Sequence, residues 1–202
     1  MRGLLLKDIY TLMKQFKLFF VILIVFSLIP QLSMYAFAIC YCAMLPITAL
    51  AYDERSKWDK LAAMFPYSIE DIVLSKYVLG YICVGASTLI SIIGQLLQIS
   101  IWRETPQASL WIQILFLACV AVLLQAFNLP LMFKFSVEKG RMIFIITVVI
   151  IAVGAAALAE QLTPLLNYIR LSVQLGGVIM LTGTAIISLL SIMLSQRLYR
   201  KK

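Results

Sequence analysis

The sequence predicts an all-α membrane protein with six transmembrane helices and both termini on the cytoplasmic side. Three observations lead there. The chain is 63% hydrophobic over 202 residues, with a mean hydropathy of +1.00. Long charge-free runs cover Leu18–Tyr52, Tyr77–Trp102, Thr105–Phe133, Met142–Ala159 and Leu171–Gln196. All but two of the 17 Lys and Arg residues, Arg103 and Arg170, fall in alternate segments between those runs. A spanning helix needs about 20 apolar residues, so four runs hold one helix each. The first run is long enough for two short helices, with Pro30-Gln31-Leu32-Ser33 as the turn, because Pro stops a helix and biases the residue before it away from the α region. Short loops rich in Lys and Arg stay cytoplasmic. Arg2, Lys7, Lys14 and Lys17 precede span one, and Arg55, Lys57, Lys60 and Lys76 lie between spans two and three. Lys134, Lys139 and Arg141 lie between spans four and five, and Arg197, Arg200, Lys201 and Lys202 follow span six.

The elements follow in order. Leu5–Phe16 reads as an interfacial amphipathic helix, with Leu5, Ile9, Leu12, Met13 and Phe16 on one stripe and Lys7, Lys14 and Lys17 off it; the plainer alternative is a cytoplasmic extension of span one. Span two covers about Met34–Tyr52, with Pro46 expected to bend it. Asp53–Met64 contains no Gly or Pro and is expected to carry that helix onward until Pro66 ends it. Ser68 is then a good N-cap, with Glu70 and Asp71 in a first turn favoured by the helix dipole and Asp71 placed as in a shortened capping box. A new helix leads through Lys76 into span three, so 53–76 is a helix–corner–helix that protrudes from the membrane. Span four ends at Asn128-Leu129-Pro130, where a kink is expected. Span five is rich in Ala and Gly, as close helix packing requires, and span six carries a stripe of Thr184, Ser188, Ser191 and Ser195 that reads as a packing seam. Glu160–Arg170 lies at the outer membrane surface or dips into it.

Composition excludes several functions. Nearly all of the chain is committed to spans and short loops, leaving one membrane domain without a soluble one. The +8 net charge is accounted for by the cytoplasmic edges of the membrane, with no need for nucleic acid. No short apolar core with a small-residue cleavage site follows Met1–Lys17. Cys40, Cys42, Cys83 and Cys119 lie within spans without metal-ligand spacing; Cys40 and Cys42 point in different directions and read as small apolar fillers. There is no His, no phosphate-binding loop and no catalytic pairing. No ionisable residue occupies the centre of a span, which argues against proton relay, although sodium coupling through broken helices stays open. The neutral groups Gln95, Gln98, Gln125 and Asn128 form either interhelical hydrogen bonds or a weakly polar translocation surface. With no internal energy source, a transporter of this kind needs an outside one. A non-transporting scaffold or immunity subunit, and less readily a gradient-driven carrier, are the competing classes.

Particular residues bring a family with them. Met44-Leu45-Pro46-Ile47-Thr48-Ala49-Leu50-Ala51-Tyr52-Asp53-Glu54-Arg55-Ser56-Lys57-Trp58-Asp59-Lys60 resembles the small ABC-2-type permeases of Gram-positive bacteria. So do Phe65-Pro66-Tyr67-Ser68 with Ile72–Tyr77, Leu129–Phe135 with Glu138-Lys139-Gly140-Arg141, and more weakly Gly3–Asp8. Two positions depart: Ile69 stands where a basic residue is usual, and Ser136 where Gly is usual. The resemblance implies a type V exporter-like fold in the bacterial cell membrane, with an elbow over residues 1–17 and the six-span domain over 18–202. It implies a second permease chain, identical or closely paralogous, and two ATP-binding subunits that carry the ATP and Mg, with no cofactor in this chain. Loop 53–76 would be the coupling segment, with Asp53, Glu54, Arg55, Lys57, Ser68, Glu70, Asp71 and Lys76 as its candidate residues. The implied cargo is an amphipathic peptide, lipophilic antibiotic or toxin.

Overall fold

The computed structural model describes residues 2–15, 17, 21, 25, 32–62, 64–65, 67–102, 108–147, 149 and 173–200. Six helices are set out in full: α1 (Arg2–Gln15), α2 (Leu32–Arg55), α3 (Trp58–Ala62), α4 (Ile69–Trp102), α5 (Ala108–Phe135) and α6 (Val173–Arg200). Residues 137–147 are helical as well, and no strand occurs among the described residues.

Four helices are long and apolar enough to cross a membrane, over Tyr35–Arg55, Ile69–Leu97, Trp111–Phe135 and Gly176–Arg200. They correspond to the predicted spans two, three, four and six. Span one is represented by helical residues 21 and 25, and span five by helical residues 142–147 and 149. The rest of those two spans, the Pro30 turn, Arg103–Gln107 and Glu160–Arg170 lie outside the described residues.

The helices pack through three apolar clusters. Leu12 of α1 meets Ala38, Cys42, Leu45 and Ala49 of α2 and Leu79 of α4. Ile47, Val73, Tyr77, Leu129, Met132, Phe133 and Val137 join α2, α4 and α5 to the start of helix 137–147. Tyr35, Ile39, Ala43, Val84, Ile114 and Ala121 join α2, α4 and α5 higher in the bundle. The Ala and Cys residues let backbones approach closely, which is how helices associate where water supplies no hydrophobic drive. All four cysteines are free. Half of the α2 window is buried but only 6% of the α6 window, so α6 lies at the edge of the bundle against α5 and α4.

Both helical prolines sit inside continuous helices, Pro46 in α2 and Pro130 in α5. Pro130 has no N–H, which leaves the Ala126 carbonyl four residues earlier without its helical donor. Ser191 Oγ of α6 donates to that carbonyl at 2.5 Å. The backbone defect in α5 is thereby converted into an attachment point for α6.

Two expectations change. The stripe of α1 is turned: Leu4, Asp8 and Leu12 are buried, Leu5 and Ile9 partly so, and Met13 is exposed. Asp53–Met64 is not one helix. α2 ends at Arg55, Ser56 and Lys57 form a turn with Lys57 at φ 53°, and α3 starts afresh at Trp58. Ser56 Oγ donates to the Asp53 carbonyl at 3.2 Å, a local bond that competes with helix continuation. Tertiary contacts of Asp53 and Glu54, described next, hold the break in place.

Candidate functional site

One end of the bundle gathers α1, the segment 56–68, the start of helix 137–147 and the end of α6. At its centre lies a closed ring of four charges. Asp8 accepts from Lys76 Nζ at 2.7 Å and pairs with Lys7 Nζ at 3.1 Å. Asp53 accepts from Lys76 Nζ and from Lys7 Nζ, each at 2.5 Å. Charges alternate around the ring, two ammonium groups and two carboxylates, so it is neutral overall. The Lys76 and Asp8 side chains are each 2% exposed, Asp53 11% and Lys7 26%. A buried charge is tolerated when it is paired and hydrogen-bonded, and here every member has two opposite partners. Lys7 also stands 4.2 Å from the centroid of the Trp58 ring, a cation–π contact that covers the more open side.

A second set of contacts ties this end to helix 137–147. Ser136 is at φ 70°, where glycine is the unstrained choice. Its hydroxyl donates to the Glu54 carboxylate, and the backbone N–H of Val137 donates to the other Glu54 oxygen at 2.9 Å. Glu54 thus supplies the acceptor that a helix start requires, from a helix end elsewhere in the chain. Gly140 packs tightly here; a Cβ on it would lie 2.6 Å from Met132 Sδ and 3.2 Å from the Met132 Cα.

The N-terminus of α4 forms as expected. Asp71 N–H donates to Ser68 Oγ at 3.1 Å and Ile72 N–H to the Ser68 carbonyl at 3.2 Å, with Glu70 and Asp71 in the first turn. Glu70 is exposed and lies 3.9 Å from Arg200, a contact of little energetic weight at such exposure.

The eight predicted loop residues therefore divide into three groups. Asp53 and Lys76 face inward in the ring, Lys76 on the helix that leads into span three as expected. Glu54 and Ser68 hold helix starts. Arg55, Lys57 and Glu70 are exposed and Asp71 is half-buried. The protruding tip is more apolar than its charges suggest: Leu61, Met64 and Phe65 are exposed, Met64 to 81%. Trp58 stacks on Phe65 with ring centroids 6.5 Å apart, and Phe65 meets Tyr67 at 5.9 Å, so the segment is stiffened by its own aromatic rings.

Of the neutral residues proposed for a translocation surface, Gln125 and Asn128 lie on α5 and Gln95 lies far along α4 from them. Gln125 is buried and donates through Nε2 to the Tyr77 carbonyl at 3.1 Å, lying over Gly80, whose missing Cβ makes the room. Asn128 is buried and donates through Nδ2 to Met44 Sδ at 3.2 Å. Both have the geometry of interhelical ties. Gln95 lies eighteen residues beyond Tyr77, about 27 Å along α4 at 1.5 Å per residue, and is buried without a hydrogen-bond partner for either amide atom. The side chain of Gln98 lies outside the described residues.

The span-six seam is confirmed in part as a join between helices. Tyr77 Oη is 2.6 Å from Ser191 Oγ and 2.8 Å from Ser195 Oγ. Because Ser191 gives its proton to the Ala126 carbonyl, it must accept from Tyr77, and Tyr77 must accept from Ser195. One directed chain of hydrogen bonds so links α4, α6 and α5.

Asp8 is the ring member that the charge count missed, though a signal was present. It stands four residues from both Leu4 and Leu12, which places a carboxylate on the buried face of α1. Such a residue needs a buried cation.

The arrangement is that of a multi-span helical membrane protein whose polar contacts join helices, with no group of metal-binding residues among those described. Residues 3–200 match the ABC-2 family transporter proteins, and the chain belongs to that family. Proteins of this family are the transmembrane component of their transporters and generally work with a separate ATP-binding subunit. No curated protein and no solved structure matches the chain.

Proposed function

We propose that this chain is the permease subunit of an ATP-driven exporter in the bacterial cell membrane, with the basic end of its bundle in the cytoplasm. The single observation that carries this reading is the protrusion at residues 56–68: a stiff, aromatic-backed tip with an exposed apolar face, anchored in the bundle by buried charges. A chain whose spans are free of charge at their centres has no means of coupling to a proton gradient by side-chain relay, which favours an energy source outside it. Leu61, Met64 and Phe65 would seat in a groove of the ATP-binding subunit, which carries ATP and Mg, while Arg55, Lys57 and Glu70 form a charged rim. Two copies of the chain with two ATP-binding subunits make the working assembly. The lipid-facing breadth of α6 leaves room for a neighbouring chain as well as for lipid. An amphipathic peptide or another lipophilic compound is the cargo, in keeping with an almost wholly apolar and neutral set of spans.

Co-expression of the tagged chain with an ATP-binding subunit, followed by purification in lipid nanodiscs, tests this. The wild-type chain is expected to retain the subunit, and Leu61→Ser/Met64→Ser/Phe65→Ser to lose at least tenfold in binding while still inserting. Inside-out vesicles holding the complex should then accumulate a fluorescent amphipathic helical peptide only with ATP. A wild-type chain that retains no ATP-binding subunit would sink the reading.

A further inference from the structure

Three successive turns of α1 touch the protrusion or the two helices that bear it. At Gly3 an added Cβ would stand 3.3 Å from the Tyr67 hydroxyl, so the bare backbone lies against the stretch that leads into α4. One turn later Lys7 meets Trp58 of α3 and Asp53 of α2, and Asp8 meets Lys76 of α4. Leu12, a further turn on, enters the apolar cluster with Leu45 and Leu79. The contacts thus run from the exit of the protrusion through its first helix and its base into the interior of α2 and α4.

The chemistry of these contacts differs from turn to turn. Leu12 against Leu45 and Leu79 is an apolar contact, which is non-directional and tolerates sliding. The ring of Lys7, Asp8, Lys76 and Asp53 does not tolerate it. Each carboxylate bridges both ammonium groups, and the Lys76 ammonium is almost cut off from water. Shifting α1 relative to α2 and α4 stretches two charge-assisted hydrogen bonds at once, with little water to replace them. The ring closes at one mutual placement of the three helices. A set of Leu and Met side chains of the same volume would hold the helices together equally well over a range of placements. Charge adds definition of position, a role that buried polar groups fill in some proteins.

We propose that Asp8 and Lys76 are positioning residues for the protrusion: their buried pair, closed by Lys7 and Asp53, makes α1, the base of the protrusion and the start of α4 one body. A push at residues 56–68 is then delivered to the surface helix α1 and to the spanning helices α2 and α4 together. The inference rests on the reading of that segment as the docking site of an ATP-binding subunit, and it adds the residues through which docking would act on the spans.

The test separates position from stability. Spin labels are placed by Leu6→Cys and Leu61→Cys, both exposed in the wild type, in a chain whose four native cysteines are replaced by Ala, and the distance between them is measured in nanodiscs without any partner. The otherwise wild-type chain is expected to give one narrow distance distribution. Asp8→Leu/Lys76→Met removes one acid and one base, keeps the Lys7–Asp53 pair and retains insertion; its distribution is expected to broaden at least twofold. In the unlabelled complex the same pair of substitutions is expected to lower peptide exported per ATP hydrolysed at least fivefold, and Asp8→Glu, which keeps the charge, to retain most of it. Should the first pair not fold, Lys7→Met/Asp53→Leu removes the more exposed half of the ring and is read in the same way. A neutralised ring that keeps the narrow distribution and the wild-type export ratio overturns the proposal. The distance measurement needs no ATP-binding subunit, so failure of the docking reading, seen as a wild-type chain without that subunit, is distinguished from failure of the positioning role.

Discussion

The ring of four charges and the chain of hydroxyls do the same mechanical job with opposite chemistry. Lys7, Asp8, Asp53 and Lys76 join α1, α2 and α4 at the basic end through alternating ammonium and carboxylate groups. Ser195, Tyr77, Ser191 and the Ala126 carbonyl join α6, α4 and α5 between apolar layers, and every group in that set is neutral. The difference follows from the cost of charge. A buried ion that loses its partner costs several kcal/mol even after relaxation, whereas a hydroxyl that finds a partner contributes modestly and costs little to bury. The two junctions should therefore fail differently. The charged one collapses when a single member is lost, and the neutral one weakens by degrees.

The largest effect is expected at Lys76. Lys76→Ala leaves Asp8 and Asp53 buried with one cation between them, at a cost of about 3–5 kcal/mol, whereas Asp8→Leu/Lys76→Met is expected to stay within about 1 kcal/mol of wild type, because a matched apolar pair needs no compensation. Unfolding of the nanodisc-held protein measures both. Equal stability of Lys76→Ala and wild type would show that water reaches the ring, and the contrast with the hydroxyl chain would vanish.

A smaller loss is expected from Tyr77→Phe. It removes the central hydroxyl but leaves Ser191 bonded to Ala126, so the change should be near 0.6 kcal/mol and no more than about 1.7. A loss as large as that of Lys76→Ala would mean that the neutral chain is as cooperative as the charged ring.

The smallest change is expected at Ser136. Ser136→Gly relieves a left-handed backbone, worth about 1 kcal/mol, and gives up a hydroxyl bond to the Glu54 carboxylate of similar worth. The two offset, and the melting temperature should move by only a few degrees. A gain well beyond that would mean that Glu54 is held by Val137 N–H alone.

The helical membrane class, four of the spans, the Ser68 cap and the polar segment that links α2 to α4 could all be read along the chain. These are local or one-dimensional properties. Apolar runs count their own length, Lys and Arg mark the segments between them, and a cap needs only its own first turn. The Ser136 position was legible as unusual, and its φ of 70° supplies the reason. Tertiary structure alone decided which charges are surface and which are structure. Lys76 and Asp53 read as loop charges because the position of Asp8 on the buried face of α1 does not say which cation it will meet; the fold sets Lys76 between Asp8 and Asp53. Helix α2 breaks at Ser56–Lys57 without Gly or Pro because Asp53 and Glu54 are held by partners on other helices, a constraint invisible to propensity. Gln125 and Asn128 share a face of one helix in the sequence, but only packing sets them against Gly80, Tyr77 and Met44. Periodicity says which residues point the same way; what they point at is set by how the helices lie against one another, and in a chain with so few charges that placement assigns each charge its role.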